Sequence, residues 1–207
     1  MSPVEKKAQY RIRRLRRSEL PVDTLELARY LIGKTLVHDL PRGRVSGRIV
    51  ETEAYPVGDA AAHAFRGETP GNRSLFLPHG HGYVYFNYGC WFMMNVSSEP
   101  AGIGAGVLIR ALEPLEGIRF MERRRRTRRL LDLARGPGRL AQALAIDKKR
   151  DGVNLCSGGR LWLGAGIRET GPIGETIRIG ITRDVHRLYR FFERGSPFVS
   201  GPRSLSV

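Results

Sequence analysis

The amino-acid sequence predicts an α+β fold, a single domain of mixed α and β structure around one sheet. Three observations predict it. Short extended segments rich in β-branched and aromatic residues are punctuated by Gly and Pro turns. Helix-start signals precede apolar runs at Asp23 and at Gly136-Pro137. The 207 residues are enough for one good core and short for two, at roughly one domain per 100 to 200 residues.

Taken in order, residues 1–18 hold Lys6, Lys7, Arg11, Arg13, Arg14, Arg16 and Arg17 with few apolar anchors, and read as a flexible or loosely docked basic arm before a single domain over 19–207. Asp23, with Glu26 three residues on, resembles a capping box opening a helix through Leu25, Leu27, Ala28 and Leu31, which Gly33 can close. A strand over 35–38, a Pro41-Arg42-Gly43 turn and an extended run over 44–55 make a hairpin. Residues 57–81, rich in Gly, Pro, Asn and His, read as a long loop, and loops of that length in a compact domain are usually functional. Residues 82–96 are aromatic and apolar except at Asn87-Tyr88-Gly89, which predicts a second hairpin with Tyr88 near its tip. A helix is expected over 113–135, bearing Arg123 to Arg126, Arg128 and Arg129, and a second helix starting at Gly136-Pro137-Gly138. Strands over 160–163 and 176–182 precede a basic, aromatic end at 187–198, and no internal repeat is present.

Charge narrows the partners. Thirty-five Lys+Arg against 20 Asp+Glu give a formal net charge of +15 and an isoelectric point near 10.8, the electrostatic footprint of a nucleic-acid binder. A polyanion is the expected partner, and charge by itself specifies no reaction. No window reaches the unbroken apolar run of a membrane span, so no membrane partner is expected. Two cysteines, Cys90 and Cys156, and a basic start with no apolar stretch after it predict a reducing intracellular compartment.

Period two over the extended run places Val45, Ile49, Glu51, Glu53 and Tyr55 on one side, so two carboxylates share a face with core-type residues. Partly buried carboxylates need partners and are common at active sites, yet an edge strand whose glutamates pair with surface arginines fits the spacing at least as well. For isolated tyrosines core packing with a satisfied hydroxyl is the favoured reading, and His63 fits a surface histidine equally well. No Cys-x-x-Cys, His-x-x-x-His or dense acidic cluster is present, and His79 and His81 lack evident partner ligands, so no metal is expected. Neither a GxGxxG nor a GxxxxGK[ST] motif occurs, so no nucleotide cofactor is expected either.

Further information comes from an ordered set of motifs. Glu51-Thr52-Glu53-Ala54-Tyr55, Ala61-Ala62-His63, Thr69-Pro70-Gly71-Asn72-Arg73, Tyr83-Val84-Tyr85, Tyr88-Gly89, Met94-Asn95-Val96-Ser97-Ser98, Arg110-Ala111-Leu112-Glu113-Pro114, Gly136-Pro137-Gly138, Gln142-Ala143-Leu144-Ala145-Ile146 and Arg194-Gly195-Ser196-Pro197 together resemble the alkyladenine, or 3-methyladenine, DNA glycosylase family. Each is modest alone; the order, from about Leu20 to Ser200, is specific. The resemblance implies a largely antiparallel curved sheet flanked by helices, with a protruding β-hairpin. It implies a monofunctional hydrolase of base excision repair that flips a damaged purine out of duplex DNA. The substrates would be 3-methyladenine and 7-methylguanine, extending to hypoxanthine and ethenoadenine, and the enzyme a monomer of the cytoplasm or nucleoid if bacterial.

The same resemblance assigns roles. Glu53 would be the general base that activates water, and Arg110 would hold it ionised. Tyr55, His63 and Tyr85 would clamp the everted base, at roughly 1 to 3 kcal/mol per stacked base. Asn95 would reject the guanine amino group, Ile179 would contact the base, and Tyr88 would fill the gap left in the duplex. Against the family pattern, the loop between Asn95 and Arg110 is slightly enlarged and Pro56 stiffens the exit from Tyr55. Two rivals remain: a non-catalytic nucleic-acid-binding protein, and a helix-hairpin-helix glycosylase. The second lacks its expected all-helical pattern.

Overall fold

The computed structural model describes residues 10–87 and 89–202. Its organising element is β2 (Gly43–Tyr55), a strand of 13 residues and so long enough to serve three neighbours. One edge pairs with β5 (Gly106–Glu116). On the other edge the first half pairs with β1 (Thr35–Leu40) and the second half, from Glu51 to Glu53, with β8 (Arg190–Glu193). Beyond these lie β4 (Trp91–Ser97) and β3 (Gly82–Asn87) next to β5, β6 (Leu161–Gly164) next to β1, and β7 (Ile173–Thr176) next to β8. Every pairing is antiparallel, and the eight strands make one curled sheet. The two predicted hairpins are β1–β2 and β3–β4.

Helices cover the sheet where local signals start them. In α1 (Thr24–Leu31) the Asp23 carboxylate accepts the Leu25 and Glu26 amides at 2.9 and 2.8 Å, the bonds an N-cap supplies to otherwise orphaned donors. The helix buries Leu27, Ala28 and Leu31 against the sheet and stops at Gly33, whose φ of +83° suits glycine. Pro137 begins α3 (Pro137–Ala143), which buries Leu140, Ala141 and Ala143 in the main core with Ile49, Val84, Met94, Val107, Ile109 and Phe191.

Three expectations are corrected. The helix expected over 113–135 shrinks to α2 (Ile118–Arg125). Glu113 and Pro114 are still paired to Arg48 and Gly47 of β2, and at the far end Leu112 donates its amide to the Ala134 carbonyl at 3.1 Å. Backbone pairing to the sheet satisfies these residues better than helix would. The strand expected over 176–182 is β7 over Ile173–Thr176, and the chain leaves it in a loop that turns at Gly180, φ +76°. Of the basic arm expected over 1–18, residues 1–9 lie outside the described residues. Residues 10–18 are docked: Leu15 is buried, its amide bonds the Leu163 carbonyl at 2.9 Å, and Arg14 bridges to Gly164.

Candidate active site

The site begins with an irregularity in β2. Ile49 pairs with Leu112, but the next partners are Glu51 with Ala111 and Thr52 with Ile109, so the register shifts at Val50 and again opposite Arg110. A bulge puts two consecutive side chains toward one face and restarts the alternation. Val45 and Ile49 belong to the main core, whereas Val50 packs with Ala111 and Phe198 in a small cluster of its own. Glu51 turns the same way as Val50 and accepts the Ser200 amide at 2.6 Å. The face expected to carry Val45, Ile49, Glu51, Glu53 and Tyr55 together is therefore split: the first two face the core and the last three face away from it.

The freed face opens on a cavity of about 690 Å³. Seven residues singled out from the sequence line it: Glu53, Tyr55, His63, Tyr85, Asn95, Arg110 and Ile179. Tyr88 lies outside the described residues. Glu53 and Tyr55 come from β2, Arg110 from β5, Asn95 from β4, Tyr85 from β3, His63 from the long loop, and Ile179 from the loop after β7. Gly136, Pro137 and Gly138 at the start of α3 complete one wall.

Glu53 is fully buried and held from three sides. Its Oε1 accepts the Ile179 amide at 2.7 Å and lies 3.1 Å from Arg110 Nη1, while its Oε2 accepts the Tyr55 hydroxyl at 2.9 Å. Burial, reinforced by the neighbouring Glu53 charge, pushes the Tyr55 phenol far above its usual range, so it stays a donor. Burial alone would lower the Arg110 guanidinium, but Glu53 and Glu51 outweigh it and raise it. Arg110 is thus a fixed cation and not a surface ion-pair partner.

The opposite wall is aromatic. Tyr83 and Tyr85 stack with centroids 5.2 Å apart and planes at 17°, and His63 meets the Tyr85 ring edge-on at 4.5 Å. His63 Nδ1 is 2.9 Å from the Tyr83 hydroxyl. Burial lowers the His63 pKa and raises that of Tyr83 to about 12, so neither brings charge to the wall near neutral pH. Asn72, in the Thr69-Pro70-Gly71-Asn72 motif, fixes this loop by donating to the His63 and Gly67 carbonyls at 2.9 and 3.1 Å and accepting the Thr69 amide at 2.7 Å.

Sequence reasoning missed the ionic scaffold behind the site. Arg178 and Asp59 form an ion pair with both side chains at 0% exposure. Arg178 also donates to the Ala54 carbonyl at 3.0 Å and lies 4.7 Å from the Tyr55 ring centre. Arg190 reaches Glu51 at 2.7 Å and the Ser200 carbonyl at 2.8 Å. Period and spacing carry no signal for pairs separated by 119 and 139 residues.

Comparison with known proteins places the chain among the DNA-repair hydrolases that act on N-glycosidic bonds. More narrowly, residues 18–197 match the family model described as methylpurine-DNA glycosylase, and the chain belongs to that family. Relatives provisionally named 3-methyladenine DNA glycosylase occur in Mesorhizobium japonicum, 67% identical over 91% of both chains, and in Paraburkholderia phytofirmans, 56% identical over 98% of this chain and 95% of that one. One from Methanocella arvoryzae is 44% identical over 86% of this chain and 90% of its own.

Proposed function

We propose that the chain releases alkylated purines, 3-methyladenine and 7-methylguanine, from duplex DNA by everting the nucleotide and hydrolysing its glycosidic bond, with hypoxanthine and ethenoadenine as further substrates. The observation that carries this reading is Glu53, the one carboxylate that lines the cavity among the described residues. An ionised carboxylate offers about four acceptor positions, and Ile179, Arg110 and Tyr55 take three. The remaining position, on Oε2, receives a water. Glu53 draws a proton from that water as its oxygen bonds to the anomeric carbon, and the glycosidic electron pair leaves with the base. An alkylated purine carries positive charge and departs neutral, so it needs no acid; a neutral lesion would need protonation or hydrogen bonding as it leaves.

The aromatic wall supports the choice of ligand. A cationic purine gains from stacking on electron-rich rings, roughly 1 to 3 kcal/mol per base, and Tyr55, Tyr85 and His63 line the slot. Asn95 discriminates among purine edges and Ile179 gives apolar contact. Tyr88 plugs the duplex. Residues 19–207 act as one glycosylase domain, with residues 1–18 as a basic extension that adds affinity for phosphates.

Incubation with duplex DNA methylated in vitro, or with an oligonucleotide holding one hypoxanthine, tests the reading. Free base should be released, leaving an abasic site in an intact backbone and no borohydride-trapped covalent adduct. Lesion binding with no base release would make the chain a binding protein only, and a trapped adduct would make it a lyase.

A further inference from the structure

The geometry points to Glu51 as a positioning residue for the reaction proposed above, acting on Glu53 through Arg110 without itself meeting substrate; the inference rests on that reading. Glu51 lies two residues before Glu53 on β2 and is equally buried, yet it is absent from the cavity lining. Its bonds account for its direction. Oε1 accepts Arg110 Nε at 2.8 Å and Arg190 Nε at 2.7 Å, and Oε2 accepts the Ser200 amide at 2.6 Å. Arg110 is thereby gripped by both carboxylates, with Nε on Glu51 and Nη1 on Glu53. A guanidinium is rigid and planar, so anchoring Nε fixes where Nη1 points. Glu51 sets the donor that orients the base.

Charge makes a second contribution. The groups that face Glu53 are Glu51 and Tyr55 on its own strand, Arg110 on β5, Arg190 opposite it on β8, and the Ile179 amide from the loop. Arg178 lies over the Tyr55 ring at 4.7 Å and is paired with Asp59. Glu51 and Glu53 balance Arg110 and Arg190. Removing the Glu51 charge leaves the cluster one positive charge in excess and takes the charged partner from Arg110 Nε, so Nη1 is no longer held on Glu53.

The test compares wild type, Glu51→Gln and Glu51→Asp in single-turnover base release from methylated duplex DNA. Rates are measured alongside thermal stability and binding to a duplex with a stable abasic-site analogue. Glu51→Gln should bind the analogue as wild type does and release base about 10- to 100-fold more slowly. Glu51→Asp keeps the charge but shortens the arm, so its rate also falls while analogue binding stays intact. A purely structural role would lower thermal stability and weaken analogue binding together with the rate. A Glu51→Gln rate equal to wild type, or a slowed rate matched by equally weakened analogue binding, therefore overturns the inference. If Glu51→Gln does not fold, Glu51→Asp decides: a folded variant with the wild-type rate overturns it, and a slowed one with intact analogue binding supports it. Absence of base release by wild type would instead sink the proposed function.

Discussion

Replacing Asp59 by Asn should destabilise the protein and slow base release together. Both side chains of the Arg178–Asp59 pair are fully buried, so removal of the carboxylate charge strands a guanidinium out of water. Breaking one partner of such a pair typically costs about 3 to 5 kcal/mol. Arg178 keeps the Ala54 carbonyl at 3.0 Å and the faces of Tyr55 and Tyr189 at 4.7 and 5.4 Å, and an Asn oxygen can still accept, so the lower end applies. At about 2 to 4 °C per kcal/mol for a chain of this size, a loss of about 3 kcal/mol lowers Tm by about 6 to 12 °C. The residue after Arg178 gives its amide to Glu53 at 2.7 Å, so the loosened loop also weakens the hold on the base. Calorimetry of Asp59→Asn, Arg178→Met and the double variant should show the double less destabilised than the sum of the singles. A Tm for Asp59→Asn indistinguishable from wild type, or strict additivity, would refute the reasoning.

Packing and protonation give two further outcomes. A Cβ at Gly138 would stand 2.9 Å from both Cβ and Cγ of Trp91 on the cavity wall. Gly138→Ala should therefore cost about 1 to 3 kcal/mol and shift tryptophan emission, and unchanged stability and emission would contradict the packing described. His38, His63 and His81 are each held below the ordinary 6.5, with burial the largest cause. Groups depressed in this way bind protons more readily in the unfolded chain, so the stability they contribute is complete above 6.5 and declines as pH falls below it. Tm should drop as pH falls below 6.5, and the His38 ring should titrate by NMR below 6.5; a ring already half protonated there would contradict this.

Local signals were legible where local chemistry decides the structure. Asp23 starts α1, the Pro41-Arg42-Gly43 turn joins β1 to β2, and Pro137 starts α3. The ordered motifs also named six residues that reach one cavity, and the resemblance they carry added Ile179. What stayed hidden depends on long-range pairing. The bulge at Val50 has no compositional mark, yet it decides that Glu51 and Glu53 turn away from Ile49. The segment after Thr176 looks extended in sequence, but the Ile179 amide bonds to a carboxylate and not to a neighbouring strand. Arg178 and Asp59 carry no mark either, because a buried ion pair between distant loops reads in sequence as two surface charges.

The most direct test of the catalytic claim is Glu53→Gln, assayed for lesion binding and base release on the same methylated duplex. Gln preserves shape, can keep the Ile179 and Arg110 bonds on its oxygen with its NH2 toward the Tyr55 hydroxyl, and is a far poorer base, so binding should persist while release falls by about 100- to 10,000-fold. Release by Glu53→Gln at the wild-type rate would remove that carboxylate from the chemistry and contradict the account.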